Sequence, residues 1–532
     1  MAKAREVRLK DSSSSFNINR REMMVATAAA MAVGPKAFAG TTGINLVPDA
    51  PSGSPDYFCT WSAQYYEALQ SHPGTDLVTE AGTVTVENEM NEKGIFGPNG
   101  LARRYYSRIR KDVYFLLDDG WMSALAGTPG AGATFQLDEK RFPSFSGNNL
   151  ALLNRRVREL GWRGTGVWCS STPGGEKDRP LVETIKKAGI GYCKIDGGDT
   201  PSFNMRRLAH EMSAPVLFEH AIGEVPLNGD WKKDGRLAPH PSGVARIDIL
   251  KGTDVFRVYD TSPQLAIPTT LDRVAQMLDA AQQQPQITGL LNVDDEAYIA
   301  AALGCTTGIL RHPVKAGPHG EGLDAMSNGP RKLKKRIDEV VRAILWHRIA
   351  PPYAAGQGFV RLDREVFTDS WNFRPEDMWW ADLYGHTAHQ GAPARIARNM
   401  DLPEVAGPGP KPFVVAARYP NGAVSVASLG RATAPQGWAE PRAEVTLNLA
   451  GAKGPIGVFG HFASLKLVMD RPLTGSRWLA QDLLASRAID ISRQVHIDTQ
   501  SVTIPGELLA RIGLSSATRD DLSDPGLVLS WA

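Results

Sequence analysis

The chain has 532 residues, a formal net charge of +2, 42% hydrophobic residues and 22% charged residues. That length accommodates two domains with sizeable cores, and the near-neutral balance gives no reason to expect nucleic acid as a partner. Its four cysteines (Cys59, Cys169, Cys193, Cys305) are too few for a disulfide scaffold and lack metal-site spacing.

Residues 1–39 read as an address rather than as part of the fold. Paired Arg20-Arg21 precede a small, mildly apolar run from Val25 to Val33, and Ala37-Phe38-Ala39 stands before Gly40. This is the pattern of a twin-arginine export signal with cleavage after Ala39. The expectation is an exported protein, periplasmic or extracellular. The apolar run is too short to span a bilayer, and no later stretch is long enough either.

Tyr57 to Trp61 reads as a first short strand with Trp61 near its end, and a linker and helix cover Asn91 to Arg110. A near-continuous apolar run follows, Asp112 to Leu117, ending in Asp118-Asp119-Gly120-Trp121. Unbroken apolar strands are those buried on both faces of a parallel sheet. Helix and strand then alternate: a helix near Asn148 to Leu160, strand Gly164 to Cys169 containing Trp168, and a helix leading to Tyr192-Cys193-Lys194-Ile195-Asp196. Gly197-Gly198 breaks the strand just past that carboxylate. A helix from Ser202 to Met212 leads to a strand ending in Glu219-His220, and Asp254 to Asp260 forms another. Helix Thr269 to Gln282, strand Ile287 to Asn292, helix Asp295 to Ala302 and strand Thr306 to Arg311 complete eight strands.

Eight βα units of this size predict a (β/α)8 barrel over residues 40–350. A doubly wound sheet is the alternative, but no early Gly-rich phosphate loop is present. The basic run Arg331 to Arg336 reads as the solvated face of an outer helix ending at His347. From about Phe359 short alternating strands take over, with an Asn421-Gly422 hairpin signal between two of them. Residues 351–532 are therefore expected to form an antiparallel β-sandwich domain.

In such a barrel the active site lies at the carboxyl ends of the strands. That rule gathers Trp61, Asp118, Asp119, Trp121, Trp168, Asp196, Glu219 and Asp260 on one rim. Lys194 and Asp196 point to the same side of their strand, and the cation keeps the acid ionised, as a nucleophile requires. Asp260, following Arg257-Val258-Tyr259, ends a strand two steps further round and suits an acid/base. Two carboxylates in different environments are the equipment of glycoside hydrolysis. Asp118 and Asp119 offer acceptors for neighbouring sugar hydroxyls, and Trp121 a face for an apolar sugar surface. Asp294-Asp295-Glu296 reads as a structural cluster opening a helix. Paired acids also serve metals, but no His or third acid stands at ligand spacing, so no metal or other cofactor is expected.

Leu117-Asp118-Asp119-Gly120-Trp121, Lys194-Ile195-Asp196-Gly197 and Arg257 with Asp260, in this order, resemble the retaining α-galactosidase clan of melibiase-type glycoside hydrolases. The resemblance covers most of Tyr57 to Arg311. It implies double displacement, with Asp196 as nucleophile and Asp260 as acid/base. It further implies Asp118, Asp119, Trp121 and Lys194 around the sugar, Arg257 on the acid/base strand, and Glu219 on the segment that sets specificity. Gly197-Gly198 stands where the family often has Cys, and Glu219-His220 departs from the usual fifth strand. α-Galactose leads as the sugar, with N-acetyl-α-galactosamine, β-L-arabinopyranose and α-glucose as alternatives, on an oligosaccharide or polysaccharide. A non-catalytic carbohydrate-binding barrel and a metal-dependent barrel hydrolase are the readings from other classes.

Overall fold

Eight short parallel strands close into a barrel in sequence order. They are β1 (Tyr57–Cys59), β2 (Tyr114–Leu117), β3 (Gly164–Cys169), β4 (Tyr192–Ile195), β5 (Leu217–His220), β6 (Val255–Val258), β7 (Leu290–Asp294) and β8 (Thr306–Ile309). The closing pair sets Tyr57 against Gly308 and Phe58 against Ile309. The computed structural model describes residues 43–75, 80–123, 133–145, 147, 149–196, 203–220, 247–258, 265–311, 336–372, 387–433, 437–473 and 475–531. Residues 1–39, read above as a twin-arginine signal, and Asp260 both lie outside them.

Strand alternation divides the barrel residues into two sets. Phe58, Phe115, Val167, Cys193, Phe218 and Phe256 belong to the main core that includes the surrounding helices. Tyr57, Cys59, Tyr114, Leu116, Tyr192 and Val255 form a separate cluster. β1 and β4 are not neighbours in the sheet, yet the Tyr57 and Tyr192 rings lie 5.2 Å apart. That contact crosses the lumen, so this second set is the barrel's inner floor. It is made of tyrosines rather than the branched aliphatic residues that usually fill such barrels, and its hydroxyls have consequences for the site above.

The covering helices follow ordinary local chemistry. Asn149 caps helix Leu150–Glu159 by accepting from Leu152 N at 2.9 Å. Helix Arg179–Ala188 has Pro in its first turn, buries Leu181, Val182, Ile185 and Ala188, and ends on Gly189 in the left-handed region.

Two larger sheets follow the barrel. One has eight strands, ordered Ile489–Asp490, Trp478–Asp482, Gly526–Trp531, Ile456–Gly460, Val424–Leu429, Phe413–Arg418, Arg395–Arg398 and Val360–Leu362. The other has five, ordered Glu404–Ala406, Glu444–Asn448, Ser464–Val468, Ser501–Pro505 and His496–Ile497. Most pairings are antiparallel, as the hairpin signals predict. Three are parallel, including Val424–Leu429 with Ile456–Gly460, so the sheets are mixed.

The helix Ile337–His347 departs from expectation. It was read as the outer helix whose basic run faces solvent, yet Asp338 through His347 are all buried. Arg336 is buried too and pairs with Glu339, while residues 331–335 lie outside the described set. The helix is a joint. His347 Nδ1 meets Asp56 Oδ2 at 2.9 Å just before β1, and Asp56 Oδ1 accepts from Thr307 N on β8. On its other side Arg342 forms a two-point ion pair with Asp482 of the large sheet, at 3.0 and 3.2 Å. A charge run says nothing about neighbouring layers, so the sequence could not reveal this.

Candidate active site

Asp196 directly follows β4, and its backbone N–H donates to Cys169 O on β3 at 2.9 Å. Its Oδ2 accepts the Trp168 indole Nε1 at 2.9 Å and lies 3.3 Å from Lys194 Nζ. Its Oδ1 is buried and has no hydrogen-bond partner among the described residues. Burial works to raise the carboxyl, but Lys194, Arg257 and the two hydrogen bonds outweigh it and hold Asp196 below its ordinary pKa. The result is an ionised carboxylate with one oxygen clamped and the other unpartnered among the described residues.

Lys194 points to the same side as Asp196, as alternation requires, and also reaches Asp118 Oδ2 at 2.9 Å. Burial favours the neutral amine, but Asp118 and Asp196 together lift its pKa above the ordinary value, so it stays an ammonium. Asp118 is 3% exposed. Its Oδ1 accepts from Asp119 N, and its Oδ2 from Cys59 Sγ and Lys194 Nζ. Both oxygens are thus engaged within the protein. Asp119 is the more open of the pair, and burial, Glu87 and Asp118 push its carboxyl up to about 7. The turn after it needs glycine: Gly120 has φ 98°, and a Cβ there would lie 2.5 Å from the Glu87 carbonyl oxygen.

Two expected sugar contacts are placed elsewhere. Trp121 is fully buried, its ring stacks on Phe135, and its Nε1 donates to Trp168 O at 2.8 Å. It packs the loop core and supports the strand end that carries Trp168. Glu219 is also fully buried, one layer beneath the rim. Its carboxylate accepts from the hydroxyls of Tyr57 and Tyr192 and from Asn292 Nδ2. Burial, opposed by Arg257 and by these hydrogen bonds, lifts Glu219 to about 7. A specificity contact requires a side chain that reaches substrate, and Glu219 points instead to the tyrosine floor.

Arg257 on β6 is buried and pairs through Nε with Asp294 Oδ2. This corrects the reading of the Asp294-Asp295-Glu296 cluster. β7 starts and ends later than the apolar pattern suggests, which puts Asp294 in the strand and aims it inward like Asn292. Asp295 accepts from Leu310 N and Arg311 N and so pins the end of β8. Trp61 opens a helix, is partly buried, and meets Tyr65 edge-on at 5.0 Å. It packs with Trp168 against the inner cluster.

The structure therefore brings together Asp118, Lys194, Asp196 and Trp168, with Asp119 attached through the backbone and Arg257 close enough to act on Asp196. Sequence reasoning missed Cys59, Glu87, Tyr57, Tyr192, Asn292 and Asp294. Cys59, Tyr57, Tyr192 and Asn292 lie on strands already identified, and inward alternation alone could have flagged the first three. Among the described residues, His461 with Glu440 and Asp524 brings potential metal ligands within 4.8 Å of one another. That group lies in the carboxy-terminal region and supplies nothing to the rim, where the Lys194 ammonium already sits between the carboxylates.

No family model matches the sequence, and no curated protein matches it. Among solved structures the chain is similar to a GH27 β-L-arabinopyranosidase from Geobacillus stearothermophilus, at 9% identity over 90% of this chain and 97% of that one, with a TM-score of 0.40. It is also similar to two GH36 α-galactosidases of the same organism. For AgaB the identity is 13% over 61% of this chain and 47% of that one, and for AgaA 14% over 58% and 43%, each with a TM-score of 0.30.

Proposed function

We propose that this chain is a retaining glycoside hydrolase of the α-galactosidase type, acting by double displacement. The observation that carries the reading is the state of Asp196. Its carboxylate is held ionised, oriented through Oδ2 by Trp168 and Lys194, and left with Oδ1 unpartnered among the described residues. Asp118 differs, with both of its oxygens engaged within the protein.

In the proposed reaction the Asp196 carboxylate attacks the anomeric carbon while the glycosidic oxygen leaves with a proton from Asp260. A glycosyl ester on Asp196 results. Asp260, now a carboxylate, takes a proton from water, and the water oxygen displaces Asp196 with net retention. Asp260 is assigned by its sequence position. Lys194 limits charge repulsion between Asp196 and Asp118, and Asp119 is the accessible group for a sugar hydroxyl. α-Galactose is the leading sugar, and β-L-arabinopyranose shares the same ring hydroxyl pattern without the exocyclic carbon. The twin-arginine pattern supports export.

The test is hydrolysis of nitrophenyl α- and β-glycosides by the protein lacking residues 1–39, beside Asp196→Gly with and without azide. Release from one glycoside, lost in the variant and restored by azide as a glycosyl azide of inverted configuration, supports the nucleophile. Equal rates in wild type and variant would defeat it.

A further inference from the structure

Cys59 has no part in the scheme above, yet its thiol donates to Asp118 Oδ2 at 2.9 Å. The same oxygen accepts Lys194 Nζ at 2.9 Å, and that ammonium also lies 3.3 Å from Asp196 Oδ2. Two donors converge on one oxygen, and one of them is shared with the nucleophile. Cys59 is wholly buried. Burial, then the Asp118 charge, pushes the thiol well above its ordinary pKa, so it remains an S–H donor. The residues after it hold the backbone of the same segment. Asp118 N donates to Thr60 Oγ1 at 2.9 Å, Thr60 Oγ1 donates to Gln64 Oε1 at 2.8 Å, and Gln64 Nε2 donates to Asp119 O at 2.9 Å. The end of β1 thus grips Asp118 twice, by its side chain and by its backbone.

One cation is here divided between two anions. An oxygen that already has a second donor draws less on the ammonium. Without the thiol, Lys194 would be the sole side-chain donor to a buried Asp118 Oδ2 and would settle toward it, away from Asp196. We infer that Cys59 is a positioning residue for the nucleophile: its S–H shares Asp118 Oδ2 with Lys194 and so keeps the ammonium bridging Asp118 and Asp196. The other groups facing this set are Tyr65, which senses Asp118 and Asp119, Cys169, which senses Asp196, and Arg257, which acts on both Lys194 and Asp196. Glu87 faces Asp119. None of these donates to Asp118 Oδ2 in place of the thiol.

The experiment compares Cys59→Ala, which removes the donor, with Cys59→Ser, which keeps one in nearly the same volume. The Trp168 indole N–H is bonded to Asp196, so its NMR resonance, assigned by its loss in Trp168→Phe, follows the ionisation of Asp196 without any substrate. A weaker hold by Lys194 favours the neutral acid, so the midpoint should rise in Cys59→Ala by about half a pH unit or more. In Cys59→Ser it should stay at the wild-type value. The acid limb of kcat/KM should move by the same amount. An unmoved midpoint in Cys59→Ala, or equal shifts in both variants, would overturn the inference. The kinetic arm rests on the glycosidase reading and the spectroscopic arm does not. A shifted midpoint in a protein inactive on every glycoside would sink the former and keep the latter.

Discussion

The Trp168 indole donates to Asp196 Oδ2 at 2.9 Å from the neighbouring strand β3. The bond does two things. It turns the carboxylate so that Oδ1 stands apart, and it favours the ionised form. Trp168 was placed on the rim as a substrate-binding residue, and its polar edge has a use of its own. Replacing it with Phe keeps most of the ring and deletes the donor. A hydrogen bond to a charged group contributes about 1.5–3 kcal/mol, so kcat/KM in Trp168→Phe should fall about 10- to 100-fold. The acid limb of the profile should move to higher pH. A loss confined to KM with an unmoved limb would mean that the indole acts through stacking alone.

Lys194 is the cation between two carboxylates in a site that water scarcely reaches. Lys194→Met keeps the length of the side chain and removes the charge. Breaking a buried pair from one side costs about 3–5 kcal/mol because the partner charge stays behind. We expect a lower urea midpoint at neutral pH and a loss of turnover of at least about 100-fold. The stability loss should shrink in acid, where Asp196 takes up a proton. A stability difference that does not change with pH would contradict the pairing.

Glu219 in the barrel floor is the opposite case, an acid whose folded pKa is raised, from 4.5 to about 7. The folded state binds its proton more tightly than the unfolded chain does. Its contribution to stability is therefore fully present below about 4.5 and declines as pH rises to about 7, by roughly 3 kcal/mol in all. Glu219→Gln imitates the protonated form and should lack this decline. The variant's stability relative to wild type should thus improve across that window and level off above it. Thermal melts at pH 4, 5, 6, 7 and 8 would show it, and a difference that stays flat would refute it.

Arg342 and Asp482 are both wholly buried and join the helix Ile337–His347 to the large sheet. Asp482 also accepts from Leu484 N and Ser516 N, so it would remain buried and charged without its partner. Arg342→Met should lower stability by about 3–5 kcal/mol. The pair touches none of the rim residues, so kcat/KM of the remaining folded protein should match wild type. A variant with wild-type stability would show that the joint is held by Trp346, Tyr419 and Phe459 packing instead.

Strand identity was legible because the strands are apolar, short and separated by helical patterns. β3 falls where the pattern put it, from Gly164 to Cys169. β7 does not, because Asn292 and Asp294 break the apolar run at the point where the strand turns its polar face inward. The same blindness hid Glu219: an acid at a strand end looks alike whether it meets solvent or a tyrosine hydroxyl. Trp121 was misplaced for a related reason, since an indole two residues past an acidic pair carries no mark of which ring will cover it.

The sequence by itself determined the βα alternation, the change to short β-strands that follows, and the inward pairing of Lys194 with Asp196, since period-two alternation is a local property of the chain. The tertiary structure decided which polar groups share a charge. Cys59 and Lys194 come from β1 and β4, and Asp118 and Asp196 directly follow β2 and β4, so closure of the barrel is what sets a thiol and an ammonium on one oxygen. It also decided which acids are sealed in and which stay open, because burial depends on neighbours that lie far off along the chain.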